Sequence, residues 1–585
     1  MTQKRSLLLL AATLFLTGCM SGGDGTSPAG SLASSGNLVY LADQNTDEVF
    51  ELFLASSGAR LNGQLLPGAK GIVSFALTPD KSAVVYIADE NSPGTFELFR
   101  VNLAAPGASF KLNGTLAPGG DITSFAITPD GTSVVYRADQ RFDEIFELFR
   151  VLFATPQASD LLNPPFPNFS GKSVKKFALT PDSTKVVYIA NQDSLNIDEL
   201  YQVAFVLPRN PTKLNVALAA GRKVTDFVVS PNSGSVVYLA DVNLAGVFEL
   251  FLSPMTGPGN GTSLNPPLGA GQTIIAFAIT PDSSAVIYRG TDAQTGQFNL
   301  FRVTFAQPQT SVITLNGALT AGGNVSSFAI APDGSAVVYS ADQNILGVVE
   351  LFRVPLTPVQ GVPCPGPSPL CAPQKINPNF AAPQSVSAFA ITPDSSAAVY
   401  LANQRGTNSG ATTNTAGYAV GTTVITLASA GTGTLVAGDV ITFSGDNNKY
   451  VVLSGDNNVA DGGTITIAAP GLRQAIPPSA TTITTANNVT QLYRVPFSCL
   501  QANPAPSCPQ AVPPPNLPPL NGPLASGGSV SSFAVSPDST LVLYLADQTT
   551  FGVTELYAVN IGSPGGSSKL NGPLVGGGNV TAFAF

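Results

Sequence analysis

The chain has 585 residues, a net charge of −9, 44% hydrophobic and only 11% charged residues, and 57 Gly with 48 Pro, a balance that suits short buried strands joined by tight turns. The linear sequence shows no basic patch of the kind that displaces counterions from phosphates, so nucleic acid is excluded as the expected partner. No His or Trp is present, which removes the usual general base and commonest metal ligand and rules out Ser-His-Asp and Cys-His catalysis.

Lys4 and Arg5 precede an apolar run from Leu7 to Leu16, and Thr17, Gly18 and Cys19 follow. This is the basic, apolar and small-residue layout of a secretory signal, too short to span a bilayer. Leu16-Thr17-Gly18-Cys19 resembles the lipobox of bacterial lipoproteins, which implies that residues 1–19 are signal peptide and lipobox and that Cys19 is acylated and becomes the mature N-terminus. An ordinary cleaved signal with an incidental cysteine is the alternative. Met20 follows the cysteine, and the absence of Asp there implies an outer-membrane lipoprotein of the cell envelope, facing the periplasm or the exterior. Residues 20–36 read as a flexible Gly/Ser tether.

From residue 37 onward one pattern repeats. Its reference unit is Asp121 to Asp139, DITSFAITPDGTSVVYRAD. The pattern recurs around Phe75, Phe125, Phe177, Phe227, Phe277, Phe328, Phe389 and Phe533, each followed eleven residues later by a tyrosine, from Tyr86 to Tyr544. Each copy predicts four strands: V-x-x-F-A-I, then V-V-Y-x-A after a Pro-Asp turn, then F-E-L-F-R-V, then K-L-N-G. Four strands at a period of about 50 residues make a propeller blade. A βαβ reading fails because no helix-length periodic segment separates the strands.

The repeat begins in mid-blade at Asn37-Leu38-Val39-Tyr40 and stops in mid-blade at Val580-Thr581-Ala582-Phe583. Pairing the two would complete a ninth blade and remove two exposed edges. The expected fold is therefore all-β, a single propeller over residues 37–585 of about nine four-stranded blades closed by the terminal strands. Two smaller rings are the alternative. Thr128-Pro129-Asp130 through Tyr136, with Glu147-Leu148-Phe149-Arg150-Val151, resembles the Pro-Asp-containing, WD40-like repeats of the TolB propeller family. The resemblance implies the fold well and the function poorly, because such blades serve scaffolds, peptidase gating domains and surface proteins alike.

Strand alternation puts the loops after the second and fourth strands on one face and the Pro-Asp turns on the other. The first face would carry Asp43, Asp89, Asp139, Asp241, Asp342 and Asp547, a possible ligand face for calcium or a basic group. Asn191, Asn403 and Thr291 at equivalent positions favour turn formation instead. The Pro-Asp positions Asp80, Asp130, Asp182, Asn232, Asp282, Asp333, Asp394 and Asp538 read the same way. Glu51, Glu97, Glu147, Glu199, Glu249, Glu350 and Glu555 read as cross-strand partners.

Cys364 and Cys371, and Cys499 and Cys508, fall at the same place in two copies, inside Pro-rich loops. In an oxidising compartment they read as two local disulfides, although other pairings and a zinc site remain open. One copy is split by residues 405–488, where alternating stretches such as Gly438–Phe443 and Lys449–Leu453 predict a small inserted β-domain. Part of it resembles the small β-domains of tailed-phage virion proteins.

No cofactor or metal is expected. The expected function is that of a non-enzymatic envelope scaffold, anchored to the membrane by lipid and recognising a protein or glycan through the face that bears the insertion. A carboxylate-dependent glycan lyase or hydrolase housed in the ring is the alternative.

Overall fold

The computed structural model describes residues 37–585 except 260, 357–371, 381, 383, 405–410, 430, 432–434, 436–438, 447, 457–458, 486–488, 501–516, 526 and the side chains of Cys499 and Leu500. The expected signal, tether and lipidation at Cys19 lie outside the described residues, as do the thiols of Cys364, Cys371, Cys499 and Cys508. Among the described residues the chain is all-β, with ten antiparallel sheets, one short 3-10 turn at Phe497–Leu500 and no α-helix.

The spacing of Phe and Tyr in the repeat is hairpin arithmetic. In the reference sheet the first strand, Ile122–Ile127, pairs with Ser133–Ala138 so that Phe125 lies directly across from Tyr136. Tyr136 lies in turn across from Phe149 on the third strand, Glu147–Leu152. The Tyr136 and Phe149 rings stack at 5.5 Å between centroids, and such pairs add about 0.5–1.5 kcal/mol beyond the area they bury. The aromatic row recurs from Tyr40–Phe53 to Tyr544–Tyr557, so each sheet is named here by its second-strand tyrosine.

The Pro-Asp turn is closed by its own side chains. Thr128 Oγ1 donates to Asp130 at 2.6 Å and accepts the Ser133 N–H at 3.1 Å, while the Thr132 N–H donates to Asp130 at 3.0 Å. Gly131, just after the aspartate, has φ 68°, and Ser183 at the same place in the next sheet has φ 59°. A short polar residue or Gly is suited to that left-handed backbone.

The K-L-N-G segment forms less strand than its pattern predicts, only Phe110–Lys111 in the Tyr86 sheet. Asn113 explains the early stop, because its Oδ1 accepts the Leu98 N–H at 2.8 Å and so replaces a fourth-strand carbonyl. The same bond recurs from Asn62 with Leu52 to Asn571 with Leu556. The Tyr40 and Tyr400 sheets have three strands rather than the expected four. In the Tyr40 sheet the fourth segment is reduced to a single bridge between Phe53 and Arg60.

Each repeat sheet buries its faces against its neighbours in chain order. Val85 and Leu98 of the Tyr86 sheet pack with Tyr136 and Phe149 of the next, and Val399 and Leu492 of the Tyr400 sheet pack with Tyr544 and Tyr557. Leu543 and Leu556 of the Tyr544 sheet pack with Tyr40 and Phe53, while Val39 and Leu52 pack with Tyr86 and Phe99. The strand Val580–Ala584 pairs with Val39–Ala42 and sets Phe583 across from Tyr40.

Candidate functional site

The six aspartates of the Ala-Asp face are built into loops. Asp139 accepts the Glu144 N–H of the following loop at 2.9 Å and the Asp121 N–H of the preceding one at 2.5 Å. Asp43 likewise holds Glu48 and Asn579, Asp89 holds Gly94 and Gly71, and Asp241 holds Gly246 and Lys223. Asp342 holds Gly347 and Asn324, and Asp547 holds Gly552 and Ser529. Where the repeat substitutes Asn191, Asn403 or Thr291, the side-chain oxygen accepts the N–H of Ser173, Ser385 or Thr273. The position thus requires an acceptor rather than a charge, and its acceptor capacity is directed into the protein's own backbone.

On the opposite face, against the opposing effect of burial, hydrogen bonds within the turns hold the carboxyls of Asp80, Asp130, Asp182, Asp282, Asp394 and Asp538 below the usual range. Hydrogen bonds from the Thr78 hydroxyl and from Ser82 lower the Asp80 carboxyl to about 2. Consecutive turns are also linked. The Ser183 hydroxyl accepts the Asp130 N–H at 3.0 Å, and Ser233, Ser283, Ser395 and Ser539 accept the N–H of Asp182, Asn232, Asp333 and Asp394.

The third-strand glutamates meet cations across the sheet. Glu97 pairs with Lys111 at 2.7 Å, Glu199 with Lys213 at 2.8 Å and Glu350 with Lys375 at 2.7 Å. Glu51 pairs with Arg60 and Glu147 with Arg141, both at 3.1 Å, while Glu555 pairs with Lys569. Glu249 accepts from Asn243 at 2.6 Å. All but one of these contacts match the cross-strand partnership that their recurrence predicts; Arg141 reaches Glu147 from the loop between the second and third strands.

Charge breaks the repeat at one place that the linear sequence conceals. The first strands form the sheet edges at which neighbouring sheets approach, and all but two are uncharged: Val174–Leu179 carries Lys175 and Lys176, and Val224–Val229 carries Asp226. Lys176 and Asp226 form an ion pair between the two sheets. Both hold the same repeat position, across from Ile189 and Leu239. Lys175 occupies the bulge just before, where the register skips from Val174 to Lys176, and a bulge re-aims the residue it adds. Its side chain is exposed and has no partner among the described residues.

Arg137, from the preceding sheet, donates to the Val174 carbonyl at 2.6 Å and to Thr123 at 2.7 Å while stacking on Phe146. Burial pulls its guanidinium down to about 10, so it stays protonated at neutral pH. Lys172, Arg222 and Lys223 flank these residues on the loops entering the two strands. Basic residues dispersed along the chain thus share two neighbouring first strands and the loops that enter them, about one repeat apart. Aligning the copies position by position would have exposed this arrangement.

The other departure from symmetry is the insertion. Its described residues form a five-stranded sheet in the order Val424–Thr426, Thr464–Ile467, Tyr450–Ser454, Val440–Phe443, Ile483–Thr485. Ile425, Ile441, Phe443, Val452, Ile465 and Ile483 bury a core of its own. The three-stranded host sheet keeps the pairing of its second and third strands, for Tyr400 lies across from Tyr493 as Tyr136 does from Phe149.

No family model and no curated protein match the chain. Solved structures do. Oligogalacturonate lyase from Vibrio parahaemolyticus is 13% identical over 62% of this chain and 93% of its own, with a TM-score of 0.37. A TolB-type protein from Agrobacterium tumefaciens is 13% identical over 47% of this chain and 87% of its own, with a TM-score of 0.26. Dipeptidyl peptidase 4 from Porphyromonas gingivalis is 10% identical over 67% of this chain and 56% of its own, with a TM-score of 0.44. The activities in those names belong to those proteins.

Proposed function

We propose that the repeat sheets are the nine blades of one closed propeller of the TolB-like, WD40-like kind, and that it serves as a non-enzymatic binding scaffold. Support for closure comes from the packing of the Tyr544 sheet on Tyr40 and Phe53 and from the shared sheet of Val580–Ala584 and Val39–Ala42. The scaffold is an envelope lipoprotein acylated at Cys19, stapled by disulfides among Cys364, Cys371, Cys499 and Cys508. It recognises a protein or glycan through the face that bears the insertion.

The observation that carries the scaffold reading is the use of the recurring acids. The Ala-Asp carboxylates hold loop N–H groups, and the third-strand glutamates meet lysine, arginine or asparagine. A carboxylate-dependent lyase or hydrolase needs a raised acid left over from such duties and finds less support: burial raises the Asp121 and Glu147 carboxyls, but Asp121 accepts the Phe96 N–H and Glu147 accepts the Phe166 N–H and pairs with Arg141.

The test is a comparison of envelope fractions passed over the immobilised chain with and without residues 405–488. Loss of specific bound components on deletion is the expected result. An unchanged bound set would remove the insertion from the recognition surface.

A further inference from the structure

We infer that the Lys175–Lys176–Asp226 sector binds an anionic polysaccharide, with Lys175 as the contact for its carboxylate or sulfate groups. The inference rests on the scaffold reading and adds to it a ligand class and a site apart from the insertion.

Three observations carry it. The first is charge: in a chain of net charge −9, two successive first strands and their entry loops gather Lys172, Lys175, Lys176, Arg222 and Lys223, with Arg137 seated beside them. Like charges brought together raise the local potential and draw in anions, an effect that salt screens over about 10 Å at 0.1 M.

The second is availability. Lys176 is engaged with Asp226, Arg137 with the Val174 carbonyl, and Arg222 with the carbonyls of Asp241 and Val242. Lys175 alone of the two inner-strand lysines is exposed without a partner among the described residues. An ammonium on a flexible stem is a compact, three-donor charge suited to a carboxylate or sulfate oxygen. The Lys176–Asp226 pair and the Arg137 bridge hold the two strands that present it.

The third is the surface on either side. In the sheets on either side of Lys175 the same bulge position holds the exposed hydroxyls of Thr123 and Thr225, and further along the chain those of Ser326, Ser387 and Ser531, while the Tyr86 and Tyr288 sheets place the apolar Val73 and Ile275 there. A cation flanked by hydroxyls matches a chain rich in hydroxyls that bears anionic groups. An acidic peptide bound at Lys175 would meet threonine on either side, the apolar Val73 and Ile275 standing two sheets away in chain order.

Binding of purified residues 37–585 to polygalacturonate, dextran sulfate and neutral dextran tests the assignment, with polyglutamate as the peptide arm. Binding to one or both anionic polysaccharides, weakened by added salt and absent with dextran, is expected; the two arms separate carboxylate from sulfate recognition. Lys175→Glu should weaken binding by about tenfold or more, the equivalent of about 1.4 kcal/mol, whereas Lys81→Glu, in a Pro-Asp turn of the opposite face, should leave it unchanged. Lys175→Gln gives the same reading should the charge reversal lower the unfolding midpoint. Absence of polysaccharide binding, an undiminished affinity in both Lys175 variants, or equal binding of polyglutamate would overturn the inference. Because the probes are purified, this result stands apart from the outcome of deleting residues 405–488.

Discussion

Tyr40 and Phe583, from opposite ends of the chain, lie directly across from each other on paired antiparallel strands. The tyrosine hydroxyl also accepts the Gly572 N–H at 3.1 Å. One sheet is thus assembled from two segments more than 500 residues apart, a contact of very long sequence separation.

Tyr40 is completely buried against Phe53. Tyr40→Ala should cost about 3–5 kcal/mol, the range for deleting a buried aromatic side chain. Phe583→Ala should cost less, since Phe583 is half-buried. Urea unfolding monitored by circular dichroism measures both. A loss for Tyr40→Ala no greater than that for Phe583→Ala would contradict the ordering expected from their burial.

Asn113→Ala leaves the Leu98 N–H buried without its acceptor, which should cost about 1–3 kcal/mol. Hydrogen exchange should report the change locally, with the Leu98 amide exchanging faster while the Leu148 amide, held by Asn163 at 2.7 Å, keeps its protection.

Alkaline stability follows from the core tyrosines. Burial raises Tyr238 and Tyr544 to about 12 and pushes Tyr136 and Tyr339 higher still. A raised folded value means that the stabilisation is complete below the unfolded value of about 10 and is lost as pH rises through the folded values. Absorbance at 295 nm should therefore show the native protein lagging free tyrosine above pH 10, then ionising together with loss of β-structure. Tyrosines that ionise near pH 10 with the sheets intact would contradict the burial argument.

The acid limb has the opposite sign. Asp80 falls to about 2 through its hydrogen bonds with Thr78 and Ser82, and Asp182, Asp282 and Asp394 are lowered despite an opposing effect of burial. Their contribution is present above the unfolded value of about 3.9 and is lost as pH falls toward the folded ones. Asp80→Asn should make the loss of stability below pH 4 shallower, since Asn232 fills the same turn position in the Tyr238 sheet and accepts from Ser230 at 2.6 Å. Solvent exposure of Asp80 keeps the effect small.

Much of the fold was legible because the repeat writes each pairing many times. The Pro-Asp turn between the V-x-x-F-A-I and V-V-Y-x-A segments marks the first two strands of each copy, and the Asn191, Asn403 and Thr291 substitutions expose the aspartates as turn acceptors. The second partner of each aspartate, across a loop and well back in sequence, was not legible from local turn chemistry. Neither was the role of Asn113, whose pattern reads as strand and whose side chain ends it. In the candidate site, Lys176 and Asp226 look unremarkable where they stand, and become a pair only when equivalent positions of consecutive copies are compared.

The serine links between Pro-Asp turns have a mechanical consequence. The Ser539 hydroxyl reaches the Asp394 N–H across the whole insertion, so lengthening that loop leaves the turn-to-turn latch engaged. Elsewhere the serine is replaced by Lys81, Gly131 or Gly334, and glycine has no hydroxyl to offer the preceding turn. The turns at Lys81, Gly131 and Gly334 therefore lack this fastening to the turn before, whereas those of the Tyr136 to Tyr288 sheets form one continuously linked row.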